Sequence, residues 1–171
     1  MALTTLDIKE PGLNTLPPGV ERYVVEGGGL TGIQILPDDE IEIINNEGNQ
    51  ICEISVFNKD GKSELAILSL KEIKDNSEIK KILFKKDETS LQALLQLKKR
   101  NLNIEKSKSS IIFDKETKAG ESIKLRSKDK CYCIFAAPGK PMLVHEQNPS
   151  TELTITVTRS EVKKEKKCYI I

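Results

Sequence analysis

Apolar and polar residues alternate with a period of two in several separate stretches. Ile41 and Ile43 alternate with Glu40 and Glu42. After Asn45-Asn46-Glu47-Gly48-Asn49, the residues Cys52, Ile54 and Val56 alternate with Glu53 and Ser55. Successive side chains of a strand point to opposite faces, so each run predicts a strand with one buried face. The Asn/Gly-rich turn between them predicts that Ile41 to Asn58 forms a β-hairpin. Further strands are predicted over Glu21–Glu26, Thr31–Leu36, Ser110–Phe113, Glu121–Arg126, Lys130–Ala136 and Glu152–Thr158, with a short apolar run at Met142-Leu143-Val144. In Lys130–Ala136, Cys131, Cys133 and Phe135 share one side. In Glu152–Thr158, Leu153, Ile155 and Val157 face inward and the threonines outward. Turns are expected at Pro37-Asp38-Asp39, Asn58–Gly61, Ala119-Gly120 and Pro138–Pro141.

The pattern changes over residues 64–104, where apolar residues take helical spacing. Ser77 can cap a short helix whose apolar face is Ile79, Ile82 and Leu83. Asp87, Thr89 or Ser90 can cap a second helix carrying Leu91, Leu94 and Leu95. Lys98, Lys99 and Arg100 close it, where cations suit the negative end of the helix dipole. These elements predict a two-helix insertion, about residues 76–101, packed on one side of the β-structure. Residues 1–19, with Pro11, Gly12, Pro17, Pro18 and Gly19, read as an irregular N-terminal arm. Residues 20–171 read as a single β-rich domain: a sandwich or distorted barrel of eight or nine mostly antiparallel strands. The final Tyr169-Ile170-Ile171 is apolar, which fits an edge strand or a natural chain that continues as a longer protein.

Composition narrows the function classes. With 27 basic and 26 acidic residues the net charge is +1, so no basic footprint for nucleic acid is expected. No run approaches the ~18 apolar residues of a membrane span, and the start lacks the pattern of a signal peptide. A cytoplasmic protein is expected, with its four cysteines as thiols. Tryptophan is absent and aromatic residues make up 4%, so the core must rest on Ile, Leu and Val, and no aromatic cage for a quaternary amine is evident.

Candidate chemistry centres on Cys52, Cys131, Cys133 and His145, the sole histidine, with Cys168 near the end. Thiolates and imidazole suit tetrahedral zinc, and Cys131 and Cys133 leave one face of one strand, so both can reach a common point. Cysteine is equally a small apolar core residue, and Cys52 stands in phase with Ile54 and Val56. A catalytic cysteine would need a base, and His145 sits in a loop-like run. Asp38, Asp39, Glu40 and Glu47 lie at turns, where exposed acids are expected. Gly27-Gly28-Gly29 lacks the following helix and Lys-Ser/Thr of a phosphate loop, so it reads as a turn.

One stretch carries a family resemblance. Pro18-Gly19, Tyr23–Val25, Gly27–Gly29, Ile41–Ile44, Glu47-Gly48, Gln50 to Cys52 and Phe57-Asn58 together resemble the front of the urea-carboxylase-associated family. A weaker match surrounds Cys131–Ala136. The same kind of domain forms the N-terminal part of trimethylamine N-oxide demethylase-type proteins, ahead of a folate-binding aminomethyltransferase-like domain. The resemblance implies one-carbon and methylated-amine metabolism. It also implies a zinc on three cysteines, acting as Lewis acid on an N-oxide to give a secondary amine and formaldehyde. Cys52 matches the first ligand and Cys131 or Cys133 the third. Asp60–Leu70 holds no cysteine for the second, and Ile54 stands where the family has an acid. These departures point to a degenerate, non-catalytic domain with a structural or oligomer-contact role. Its partners would be other domains of a longer polypeptide or further copies of itself. The alternatives are a small zinc-dependent enzyme or accessory protein using Cys52 and Cys131/Cys133, and a β-barrel binding a small metabolite.

Overall fold

The structure is a computed structural model that describes residues 8–11, 19–72, 77–114, 116–139 and 150–160. Its strands, among these residues, are β1 (Ile8–Lys9), β2 (Val20–Val25), β3 (Leu30–Ile35), β4 (Glu40–Asn45), β5 (Cys52–Asn58), β6 (Ser109–Ile112), β7 (Ser122–Arg126), β8 (Cys131–Ala136) and β9 (Leu153–Thr158). Two helices, α1 (Glu78–Leu83) and α2 (Glu88–Lys99), lie between β5 and β6. The strands form two sheets, ordered β1-β3-β8-β5-β6 and β2-β9-β4-β7. Every pairing is antiparallel except β1 with β3. The predicted mainly-β sandwich with a helical insertion is therefore present. The barrel alternative is not, because among the described residues the two sheets do not join into a closed ring.

The predicted hairpin at Ile41–Asn58 does not form. β4 pairs with β7 and β9 in one sheet, while β5 pairs with β6 and β8 in the other. The Asn/Gly-rich segment is a crossover that carries the chain between sheets. It is held at both ends. Asn45 N–H donates to the Glu121 carbonyl at 2.9 Å and Asn49 N–H to the Thr117 carbonyl at 2.8 Å. Gln50 Nε2 donates to the Pro138 carbonyl at 2.8 Å, and its Oε1 accepts from Thr151 N–H at 2.9 Å. Alternation tells which face of a strand is buried but not which strand lies beside it. Both strands turn their apolar face into one core from opposite sides.

That core joins Tyr23, Val25, Ile41, Ile43, Leu153, Ile155 and Val157 of the second sheet to Ile33, Ile35, Cys52, Ile54, Val56, Cys131, Cys133 and Phe135 of the first. A second cluster covers the other face of the first sheet, where Phe57, Ile134 and Ala136 meet Ile79, Leu83, Ala93 and Leu97 of the helices. This double cover explains why Cys52 to Phe57 are all buried, although their alternation resembles a half-exposed strand. The predicted cap of α1 forms, with Ser77 accepting from Lys80 N–H; of the three candidates for α2 it is Asp87 that caps, accepting from Ser90 N–H. The N-terminal arm is not irregular throughout, since Ile8 and Lys9 pair in parallel with Gly32 and Ile33. No helix of the described residues is long and apolar enough to cross a membrane.

Candidate functional site

The glycine triplet makes no anion cradle. Gly28 N–H donates to the Ala137 carbonyl at 2.7 Å and Gly29 N–H to the Glu26 carbonyl at 2.8 Å, so both donors are used within the fold. A Cβ at Gly27 would stand 2.4 Å from the Ser150 carbonyl oxygen, which accounts for a glycine there by close packing.

Cys131 and Cys133 occupy alternate positions of β8 and face the sandwich core, with their sulfurs 3.7 Å apart. Two thiolates of a tetrahedral zinc, each bonded at about 2.3 Å, stand about 3.8 Å apart, so the pair has the spacing of two ligands. Cys52 belongs to the same core at another level. In the β5–β8 register Val56 lies opposite Cys133 and Asn58 opposite Cys131. Cys52 is four residues before Val56, about 13 Å along the strand at ~3.3 Å per residue. Among the described residues no group of three or more His, Cys, Asp or Glu side chains is placed to hold a metal. His145 and Cys168 lie outside the described residues. All three described thiols are free and buried. Burial pushes the Cys52 thiol well above its ordinary range, with a smaller contribution from Glu53 beside it. Burial, and then the Cys131 contact, raises Cys133. Without a metal beside them, both therefore keep their protons to higher pH than an exposed thiol.

The most highly charged buried constellation lies at one end of the sandwich, and the reading of the motifs passes it by. Glu21, Asp39 and Arg159 are all buried, with Tyr23 beside them. Arg159 directly follows β9, where its N–H donates to the Gly19 carbonyl at 2.8 Å. Its guanidinium donates to Glu21 through Nε at 2.9 Å and Nη2 at 2.8 Å. Nη1 donates to Asp39 Oδ2 at 2.7 Å and to the Gln34 carbonyl at 2.9 Å. Asp39 also accepts from Leu36 N–H at 2.9 Å and Ser160 N–H at 3.0 Å, and Tyr23 donates its hydroxyl to Glu21. Burial opposes the charge on Arg159, but the hydrogen bonds to Glu21 and Asp39 outweigh it and raise its pKa. Burial, then the bond to Glu21, raises Tyr23.

Asp39 is thus not the exposed turn acid that its position suggests. A signal was present in the sequence. Glu21 stands in phase with Tyr23 and Val25, Asp39 with Ile41 and Ile43, and Arg159 with Ile155 and Val157. Three charged residues each continue the buried phase of a strand, and buried charges need opposite partners.

A third constellation ties the helices to the first sheet. Glu53, buried on the outer face of β5, accepts from Ser77 Oγ at 2.5 Å and Ser109 Oγ at 2.8 Å through Oε1. It accepts from Glu78 N–H at 2.8 Å through Oε2.

The chain is similar to a trimethylamine-oxide aldolase of Ruegeria pomeroyi. The two are 32% identical over 157 residues, which span 91% of this chain and 20% of that protein. The chain thus matches about a fifth of its relative's length. No protein-family profile matches. The urea-carboxylase-associated resemblance therefore rests on the residues from about Leu16 to Asn58, with a weaker match around Cys131–Ala136, while the similarity to the aldolase extends over nearly the whole chain.

Proposed function

We propose that this chain is a non-catalytic β-sandwich domain of the trimethylamine-oxide aldolase type, with a packing or oligomer-contact role in methylated-amine metabolism in the cytoplasm. The observation that carries the reading is the 32% identity over 91% of the chain, confined to a fifth of the relative. Two features of the fold support it. The described thiols are buried in the sandwich core, and among the described residues no third ligand stands beside the Cys131–Cys133 pair. The buried ionic groups Glu21, Asp39 and Arg159 are engaged with one another and with backbone that closes one end of the sandwich.

The test is an assay of the purified intact chain with trimethylamine N-oxide, with and without added zinc, following formaldehyde release. No release above the uncatalysed rate is expected. Formaldehyde formed in proportion to the chain would overturn the reading. A second reading, a zinc-dependent protein, is favoured by the 3.7 Å spacing of the Cys131 and Cys133 sulfurs. It needs further ligands from beyond the described residues, with His145 the candidate. One equivalent of zinc in the purified protein, lost together with stability on chelation, would establish it.

A further inference from the structure

Helix α2 buries Ser90, Ala93 and Leu97 against the fold. Its outward side carries Glu88, Leu91, Leu95 and Lys98, all exposed. Leu91 is 51% and Leu95 56% exposed. Among the described residues the other large exposed apolar side chains are Val24 on β2, Phe84 at the C-cap of α1 and Ile111 on β6. Single exposed apolar residues are ordinary. Two leucines one turn apart, bracketed by charges of opposite sign, are a pattern. The spacing from Glu88 through Leu91 and Leu95 to Lys98 is three, four, three, which is the seam of a helix that packs along another helix.

The seam is self-complementary when two copies run antiparallel. A two-fold axis level with residue 93 sets Leu91 against Leu95 of the second copy, and Glu88 against Lys98 of the second copy. The same operation repeats each contact, as an isologous interface requires. It also brings the positive N-terminal end of each helix beside the negative C-terminal end of the other. A parallel pairing would instead set Glu88 against Glu88 and Lys98 against Lys98. Within one copy, neither Glu88 nor Lys98 forms an ion pair among the described residues.

We infer that α2 is the contact face of a two-fold homodimer, its occupant a second copy of this chain, with Leu91 and Leu95 at the centre and Glu88–Lys98 pairs at both ends. The inference rests on, and deepens, the oligomer-contact role proposed above. Three turns of helix make a small interface, so association is weak and depends on concentration.

The experiment is sedimentation equilibrium of the intact chain, from about 10 to 500 µM, the range in which a small interface of this kind is read. The mass should rise from 19.1 kDa towards twice that value. Leu95→Glu should keep the chain monomeric throughout. Glu88→Lys alone and Lys98→Glu alone should each weaken association about tenfold, by setting like charges together at both ends. The double swap Glu88→Lys/Lys98→Glu restores opposite charges and should return the affinity to within about threefold of the original. Melting curves of every variant confirm folding, which is expected to persist because all three substituted positions are exposed. A wild-type chain that stays monomeric overturns the inference. So does a dimer indifferent to Leu95→Glu, or a double swap no better than the single ones. Formaldehyde production by the chain would instead sink the non-catalytic reading and leave these mass measurements untouched, so the two failures are distinct.

Discussion

Arg159 holds Glu21 by two parallel hydrogen bonds, Nε to Oε2 at 2.9 Å and Nη2 to Oε1 at 2.8 Å, where neither side chain is open to solvent. The pair joins the end of β9 to β2, and through Nη1 it reaches Asp39 ahead of β4 and the Gln34 carbonyl of the opposing sheet. One guanidinium thus fastens three strands of one sheet and a strand of the other. Replacing it leaves two carboxyl groups buried without their cation. Arg159→Leu should cost about 3–5 kcal/mol, the usual penalty for breaking one side of a buried ion pair. Arg159→Lys keeps the charge but not the two-pronged geometry and should fall between. Urea denaturation measures both. A loss below about 1 kcal/mol for Arg159→Leu would show that water reaches the carboxyl groups.

The buried thiols and phenol make the fold sensitive to alkali. In the unfolded chain the thiols ionise near 9.0 and the phenol near 10.0. In the folded chain burial raises Cys52, Cys133 and Tyr23, so they keep their protons to higher pH. Above pH 9 the unfolded state therefore binds fewer protons than the folded one, and stability falls as pH rises. The contribution is fully present below pH 9. Each group that ionises only on unfolding should add about 1.4 kcal/mol per pH unit to the decline. Melting temperatures between pH 8 and 11 should show the bend. Cys133→Ala should shallow the slope between pH 9 and 10, and an unchanged slope there would contradict the assignment.

Cys52 packs at the sandwich core among Ile and Val, away from the level of Cys133. Cys52→Ala removes one buried heavy atom and should cost about 1–2 kcal/mol, from lost contact and a small cavity. Bound metal, read by mass spectrometry under native conditions, should not change. Loss of a stoichiometric zinc with stability intact would make Cys52 a ligand instead.

Glu53 is the link between the first sheet and α1, accepting from Ser77, Glu78 N–H and Ser109. Glu53→Ala strands those donors and should destabilise the protein by about 2–3 kcal/mol, as hydrogen bonds to an acidic group are each worth ~1.5–3. The effect should be local. Amide exchange of Glu78–Leu83 should quicken more than that of β9, and equal quickening of both would place Glu53 in the global core instead.

Much was legible in the sequence because local rules carried it. Alternation located β2 to β9, helical spacing located α1 and α2, Ser77 marked the start of α1, and Asp87 was one of three candidate caps for α2, since each signal lies within a few residues of what it specifies. The side of β4, β5, β8 and β9 that faces the sandwich core could likewise be read, down to Cys131 and Cys133 facing one way with adjacent sulfurs, though not the burial of the other face of β5. Strand partnership was another matter. Ile41–Asn58 has the local features of a hairpin, yet its two strands separate, because β9 and β7 take the edges of β4 while β8 and β6 take those of β5. That choice depends on residues 54 (Ser55 to Ser109) to 118 (Glu40 to Thr158) positions away, and no local pattern encodes it. The same long-range closure turned Asp39 from a turn acid into one of two carboxylates around the buried Arg159. It also covered Glu53 with a helix. Period two determined which side chains turn inward. Only the stacking of two sheets and a helical layer decided which of them meet.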